Sequence, residues 1–458
     1  MKSKNTLTAQ GLMPSVDRAL QLAVEKTLRL EKRWKGSDGA PVFTVAGRYT
    51  ARSWTQWTQG FQYGNALLCF DMTGQKELLP MAQGHILADM AGHLTHFGVH
   101  DHGFNNISTY GNLRRLILEN RLDANEWELN FCELALKVSG AVQASRWTSL
   151  NDGMGYIHSF NGSHSLFIDT IRTLRICSVA HQLGHSLLGE QDSKINLLAR
   201  SMTHAKASAL YTIYYGEGRD SYDVPELAGR TVHEAIFNTA SGAFRCPSSQ
   251  QGYSPFTTWT RGLAWAVLGF AEQLEFVHSL PESEFGVDGV PPRAEALAML
   301  ERAARATCDF YIRQGTALDG ICYWDTGAPQ LHHLGDWQSK PADPYNDFEP
   351  VDSSASAIAA QGLIRLGHLL GAKDGSVYTQ AGLTVIERLL QEPYLSTSPD
   401  HEGLLLHSIY HRPNGWDYIP PSSKIPCGES SMWGDYHLLE ALLLVKRIAD
   451  SKYYTFFQ

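Results

Sequence analysis

Two kinds of apolar pattern alternate along the chain. In SVDRALQLAVEKTLRL, Val16, Leu20, Ala23, Thr27 and Leu30 fall on one stripe, with Asp17, Arg18, Glu25 and Arg29 largely opposite. That spacing is the signature of an amphipathic helix with one wet face. It recurs at 76–92, 125–140, 191–215, 292–313 and 375–392, and predicts a helix in each place. Between these lie SLFIDTIRTLRICSVAHQL, RGLAWAVLGFAEQLEF, SASAIAAQGLIRLGHLLG and WGDYHLLEALLLVKRI, apolar or small nearly all round. Such segments predict buried helices. The alternation implies an outer and an inner layer.

About a dozen helices in this order, with few strand signals, predict an all-α toroid of helical hairpins. No low-complexity linker divides the chain, so residues 1–458 read as one domain. The segments 280–292 and 339–350 read as long loops, of the kind that often builds sites. Buried segments follow loops such as QQGYSPFTTWT and EPVDSSAS, so one end of the inner layer collects polar and aromatic groups.

Composition narrows the class. Apolar residues make up 43% and charged residues 19%, with 11 Trp and 19 Tyr, which suits a large buried core. A formal charge of -9 with no run of like charge argues against nucleic acid as the partner. The seven cysteines, at 69, 132, 177, 246, 308, 322 and 427, form no CxxC pair and read as reduced core thiols. The start MKSKNTLTAQ has no apolar segment behind its lysines, and no apolar run is long enough to span a bilayer. The expectation is a cytoplasmic protein without a membrane partner.

Candidate chemistry gathers in a few stretches. Asp169 sits between Ile168 and Ile171 at the start of an otherwise apolar helix. One reading is an acid at a helix N-terminus, favoured by the dipole. The other is a carboxylic acid raised toward neutrality by burial, as a general acid requires. Asp101, in GVHDHGF, is its natural partner, because two carboxylates across a pocket push their pKa values apart. A metal site would instead use His100 and His102 with His158, His164 or His181, but HExxH and other tight ligand spacings are absent.

QGYSPFTTWTRGLAW places Gln251, Tyr253, Trp259, Arg261 and Trp265 in one loop and first helical turn. Flat aromatics, an amide and a guanidinium suit a carboxylate-bearing sugar, by stacking and a bidentate grip on the acid. Trp265 and Phe270 also fit a plain core. RSWTQWTQGF adds Trp54, Trp57 and Gln59, and the late loops add His411, Arg412, Lys424 and Asp435. Lys424 reads as solvated or as a contact to an anionic aglycone. GxGxxG, GxxxxGK[ST] and GxSxG are absent in usable contexts, which leaves nucleotide binding and α/β-hydrolase chemistry unsupported.

Taken in order, WTQGF, HDHGF, FIDTIRTLRI, the lone His of VHEAIFNTASGAF, QQGY with WTRGLAW, DSSASAIAAQGL and WGDYHLLEAL resemble the unsaturated glucuronyl hydrolases of glycoside hydrolase family 88. The motifs span roughly Trp54 to Leu443. The resemblance implies an (α/α)6 barrel without a metal or organic cofactor. It also implies a substrate, an oligosaccharide carrying a 4,5-unsaturated uronic acid at its non-reducing end. The enzyme hydrates the vinyl ether, and the resulting hemiketal opens and expels the rest of the sugar.

By the same resemblance Asp169 is the general acid and base and Asp101 the second essential aspartate, with His100 its orienting neighbour. Trp57, His233, Gln251, Trp259, Arg261 and Trp265 fall at positions lining the unsaturated sugar, while His102 has no role. The expected form is a monomer or small homo-oligomer. Gln250 and Leu263 depart from the family pattern and put linkage, aglycone and sulfate tolerance in question. Three other readings stay open: an unsaturated rhamnogalacturonyl hydrolase, a sugar epimerase or isomerase using His233 and His411, and a sugar-binding barrel without activity.

Overall fold

The computed structural model describes residues 1–3, 6–35, 38–52 and 56–457. The all-round apolar segments form an inner ring. Its members are Gln59–Thr73, the run 102–118, the run 170–182, Thr260–Ser279, 353–370 and Met432–Ala449. Each touches the next, and the last closes back on the first. Burial is unbroken from Thr260 to Val277, from Ser353 to Gly367 and from Met432 to Val445, as segments with no wet face require.

The one-sided helices form the outer ring: Ala9–Arg33, Leu78–Asp89, Glu126–Ser145, Leu197–Tyr211, Arg293–Phe310 and 372–389. In the first of them Val16, Leu20, Ala23 and Leu30 face inward and are buried. Gly371, at φ 73°, breaks the final outer helix from the inner helix before it. The architecture is an (α/α)6 barrel.

Two elements differ from the expected helices. SLFIDTIRTLRI opens as a strand, Ser165–Phe167, paired with Glu234–Asn238, which in turn pairs with Ala243–Ser248. Its partner lies about seventy residues away, so local periodicity carried no sign of it. The expected helix over 191–215 begins only at Leu197, after a hairpin of Ser186–Leu188 with Lys194–Asn196. Asn196 starts that helix by accepting from the amides of Leu198 and Ala199. Among the cysteines, Cys246 is exposed on a strand, which corrects its reading as a core thiol. No described helix is long and apolar enough to cross a membrane.

All six inner segments begin at one end of the barrel, with Trp57, Asp101, Asp169, Trp259, Asp352 and Ser431 just before or at their first turns. They come close together there. A Cβ on Gly103 would lie 2.1 Å from the carbonyl oxygen of Thr173, and one on Gly60 2.3 Å from that of Asn105. Glycine at these two points lets three successive inner segments meet backbone to backbone, which sets the separation of the loops above them.

About one to four turns further along the same helices lies a buried ionic core. Arg172 donates to Glu272 at 2.7 Å and to Glu440 at 2.8 Å, and Arg175 makes two bonds of 3.0 Å to Glu440. Arg365 donates to Glu275 at 2.7 Å and to the carbonyl of Tyr454 at 3.1 Å, which ties the C-terminal segment across the ring.

Candidate active site

The convergent ends of the inner helices enclose a cavity of about 370 Å³. Its wall includes Trp57, His100, Asp101, Asp169, Gln251, Trp259, Arg261 and Trp265, gathered from four separate stretches of sequence. Trp57, Phe104 and Trp265 form a continuous aromatic surface, with ring centroids 5.7 Å and 4.9 Å apart. Trp433 stacks beneath Trp57 at 5.1 Å. Trp265 is therefore both core and cavity wall.

His100, 1% exposed, stands between the two carboxylates. Its Nε2 is 3.5 Å from Oδ1 of Asp169 and 3.8 Å from Oδ1 of Asp101. These are ion-pair separations, too long for hydrogen bonds. Among the described residues neither imidazole nitrogen of His100 has a hydrogen-bond partner, and neither does Oδ1 of Asp169. Buried polar atoms left open in this way are positioned to receive a ligand or water. Asp169 sits at a helix start, as the dipole reading requires, but its side chain caps no amide.

The electrostatics of the pair run opposite to the expected direction. Burial raises Asp101, and the neighbouring Asp169 adds to this against the pull of His100. Burial also pushes Asp169 upward, but the nearer His100 outweighs it and holds this carboxyl below its ordinary value. His100 is itself raised, because Asp101 and Asp169 together overcome its burial. Of the two carboxyls Asp169 is therefore the more readily ionised, and His100 holds its proton more tightly than an ordinary imidazole. Arg146 and His96 also face this group and favour its anionic forms.

His102 is a structural clasp. Its Nδ1 bonds the hydroxyl of Ser139 at 2.9 Å and its Nε2 meets the carbonyl of His96 at 3.0 Å, so both nitrogens are engaged away from the cavity. That removes the donor pair the metal reading needed. Gln143, which the sequence did not single out, donates to the carbonyl of His100 and the hydroxyl of Thr173, both at 2.8 Å. Arg146 binds the carbonyls of Phe97, His158 and Ser159, fastening the two loops on that side.

Two expected sugar contacts also hold the protein's own backbone and side chains. The Arg261 terminal nitrogens donate to Asp352 at 2.8 Å, to Gln251 at 2.9 Å, to the carbonyl of Tyr410 at 2.7 Å and to that of Ile409. Arg261 lines the cavity, yet its fork is filled by protein acceptors rather than open for a substrate carboxylate. It holds Gln251 in place instead. His233 is buried beside the wall: its Nδ1 accepts from the amides of Gln250 and Gln251 at 3.0 and 3.2 Å, against Phe167 and Trp259, and its Nε2 has no hydrogen-bond partner among the described residues. Those bonds fix the neutral tautomer with hydrogen on Nε2, and burial takes this imidazole down to about 4.

The remaining candidates divide. Gln250 lines the cavity, whereas Leu263 is buried away from it. His411 lines it, and Lys424 is 72% exposed in an ion pair with Asp347. Asp435 accepts from Tyr49 and the amides of Leu404 and Leu405, a purely structural set. Trp54 lies outside the described residues. His96, Phe160, Tyr410 and Trp416 also form wall and were not expected. The last two share a loop with His411, whose aromatic content was the available signal.

No family model matches the chain. It is 25% identical over 423 residues to the unsaturated glucuronyl hydrolase of Bacillus sp. (strain GL1), covering 89% of this chain and 91% of that one. It is 24% identical over 464 residues to the unsaturated chondroitin disaccharide hydrolase of Streptococcus pyogenes serotype M1, covering 97% and 94%. Among solved structures, the Bacillus sp. GL1 unsaturated glucuronyl hydrolase superposes with a TM-score of 0.69 at 21% identity, over 95% of this chain and 97% of that one. An unsaturated glucuronyl hydrolase specific for heparin gives 0.71 at 19%, over 97% and 100%. These likenesses establish the fold.

Proposed function

We propose that this chain is a glycoside hydrolase that hydrates the C4=C5 double bond of a 4,5-unsaturated uronic acid at the non-reducing end of an oligosaccharide. One observation carries the reading: two buried carboxylates flank a single imidazole at the base of an aromatic cavity. The names of its relatives, similar along nearly the whole chain, point to the same class.

In this mechanism the unsaturated ring lies against Trp57 and Trp265, with its carboxylate toward the converging helix N-termini, whose dipoles favour an anion. The arriving negative charge and the loss of water raise the neighbouring carboxyls. The proton then passes from His100 to Asp169, which delivers it to C4. Positive charge developing at C5 is stabilised by Asp101. Asp169, again ionised, takes a proton from water as its oxygen adds to C5. The hemiketal so formed opens at its C5–O5 bond to a ketone, which leaves C1 as a hemiacetal; collapse of that hemiacetal to an aldehyde breaks the C1–O1 bond and releases the aglycone as an alcohol.

Enol-ether absorbance in the ultraviolet provides the test. Incubation with unsaturated disaccharides made by lyases from several uronate polysaccharides, pectic rhamnogalacturonan included, is expected to abolish the absorbance of at least one. The reading falls if every disaccharide keeps its absorbance. The ranking identifies the parent polymer.

Sharing of one proton among His100, Asp101 and Asp169 makes a further prediction. In His100→Asn, burial acts on both carboxyls without the opposing imidazolium, so they titrate at higher pH. The acidic limb of the kcat/KM profile is therefore expected to move to higher pH relative to wild type. An unmoved limb would remove His100 from the proton-sharing set.

A further inference from the structure

The loop over 249–258 continues from the cavity wall to the surface and is unusually well fastened. The amides of Gln250 and Gln251 are held by His233, that of Gly252 by the Ser249 hydroxyl at 3.0 Å and that of Tyr253 by the buried Asp325 at 2.8 Å. Further along, the Phe256 amide bonds Ser254 at 3.1 Å and the Thr258 amide bonds Thr326 at 3.0 Å. On this pinned backbone two large rings face solvent, Tyr253 at 51% and Phe256 at 54% exposure. Among the described residues the Tyr253 hydroxyl has no hydrogen-bond partner.

The Phe256 ring is braced as well. It meets Tyr222 edge-on at 5.0 Å, Tyr222 meets Tyr214 at 5.6 Å, and Tyr214 has Arg219 and Arg230 guanidinium carbons at 4.0 and 3.9 Å from its ring centre. A single exposed aromatic is unremarkable in a soluble protein. Two on one rigid segment that also forms the cavity wall are a different case. Tyr253 is two residues from Gln251, so its Cα is at most ~7 Å away, and that of Phe256 at most ~18 Å.

We propose that Tyr253 and Phe256 form a distal sugar platform, on which pyranose units of a longer oligosaccharide stack once its unsaturated end occupies the cavity. The platform gives no chemistry. It adds affinity for tri- and tetrasaccharides over the disaccharide, because the apolar face of a pyranose covers an aromatic ring fixed in advance, with little conformational entropy left to lose. The proposal rests on the reading of the cavity as an unsaturated-uronate site, and deepens it by naming chain length as what the site distinguishes.

The test compares unsaturated di- and tetrasaccharides of one polymer, in wild type, Tyr253→Ala, Phe256→Ala and Tyr253→Trp. KM by loss of absorbance is measured for each. Dissociation constants are measured by calorimetry in an Asp169→Asn background, where turnover does not interfere. Each alanine variant is expected to weaken the tetrasaccharide about three- to tenfold and leave the disaccharide within about twofold, with Tyr253→Trp close to wild type. Equal effects on both lengths, or none on the tetrasaccharide, overturn the platform. Wild type that binds the tetrasaccharide through Tyr253 but hydrates neither length would instead overturn the hydrolase reading and leave the platform standing. Absence of binding at either length overturns both.

Discussion

Asp169→Asn is expected to lower kcat about a hundred- to ten-thousandfold, the range general acid-base groups supply, with KM changed only a few-fold. The substitution keeps the shape of the side chain and removes its capacity to carry a proton. Oδ1 of Asp169 has no hydrogen-bond partner among the described residues, so little of the local packing depends on its charge. The 3.5 Å approach of His100 is the contact that changes. The check is loss of enol-ether absorbance on whichever disaccharide wild type accepts, with a thermal melt of the same preparation. A variant that turns over within about tenfold of wild type would sink Asp169 as the proton donor.

Asp101→Asn separates the two carboxylates. It removes one of the two charges that raise His100, so the imidazole gives up its proton at lower pH. Turnover is expected to fall and to fall further as pH rises.

The second large effect is on stability. Glu440 is fully buried and accepts from both Arg172 and Arg175. Glu440→Gln leaves those guanidiniums facing too little negative charge in a site water does not reach. Breaking a buried ionic set in this way typically costs about 3–5 kcal/mol. Against a total of about 5–15 kcal/mol that is a large fraction, and the thermal midpoint is expected to drop on the order of 5–10 °C. Circular dichroism melts decide it, and an unchanged midpoint would mean the core contributes nothing net.

The same core sets a pH limit. The two arginines hold the Glu440 carboxyl far below its ordinary value, although burial alone would raise it. A group depressed on folding contributes stability above its unfolded pKa, about 4.3 for Glu, and that contribution is lost as pH falls below it. Acid unfolding of wild type is therefore expected to be steeper than that of Glu440→Gln.

The amino-acid pattern by itself determined the layering and marked the stretches that supply the cavity wall. Periodic stripes such as Val16, Leu20, Ala23 and Leu30 marked outer helices, and runs such as Thr260 to Val277 marked inner ones, because burial on one side or all sides is written in local spacing. A carboxylate such as Asp169 amid isoleucines is conspicuous for the same reason. Tertiary structure decided everything that depends on distant partners. The strand at 165–167 exists because 234–238 lies beside it, and local propensity does not register that. The filled fork of Arg261 follows from carbonyls at 409 and 410, nearly 150 residues on. Which carboxyl is shifted up and which down follows from burial and from how closely one imidazole approaches each, 3.8 Å for Asp101 and 3.5 Å for Asp169. Residue identity sets what a group is able to do, whereas its partners and the water it loses set its state, and those are properties of the folded whole.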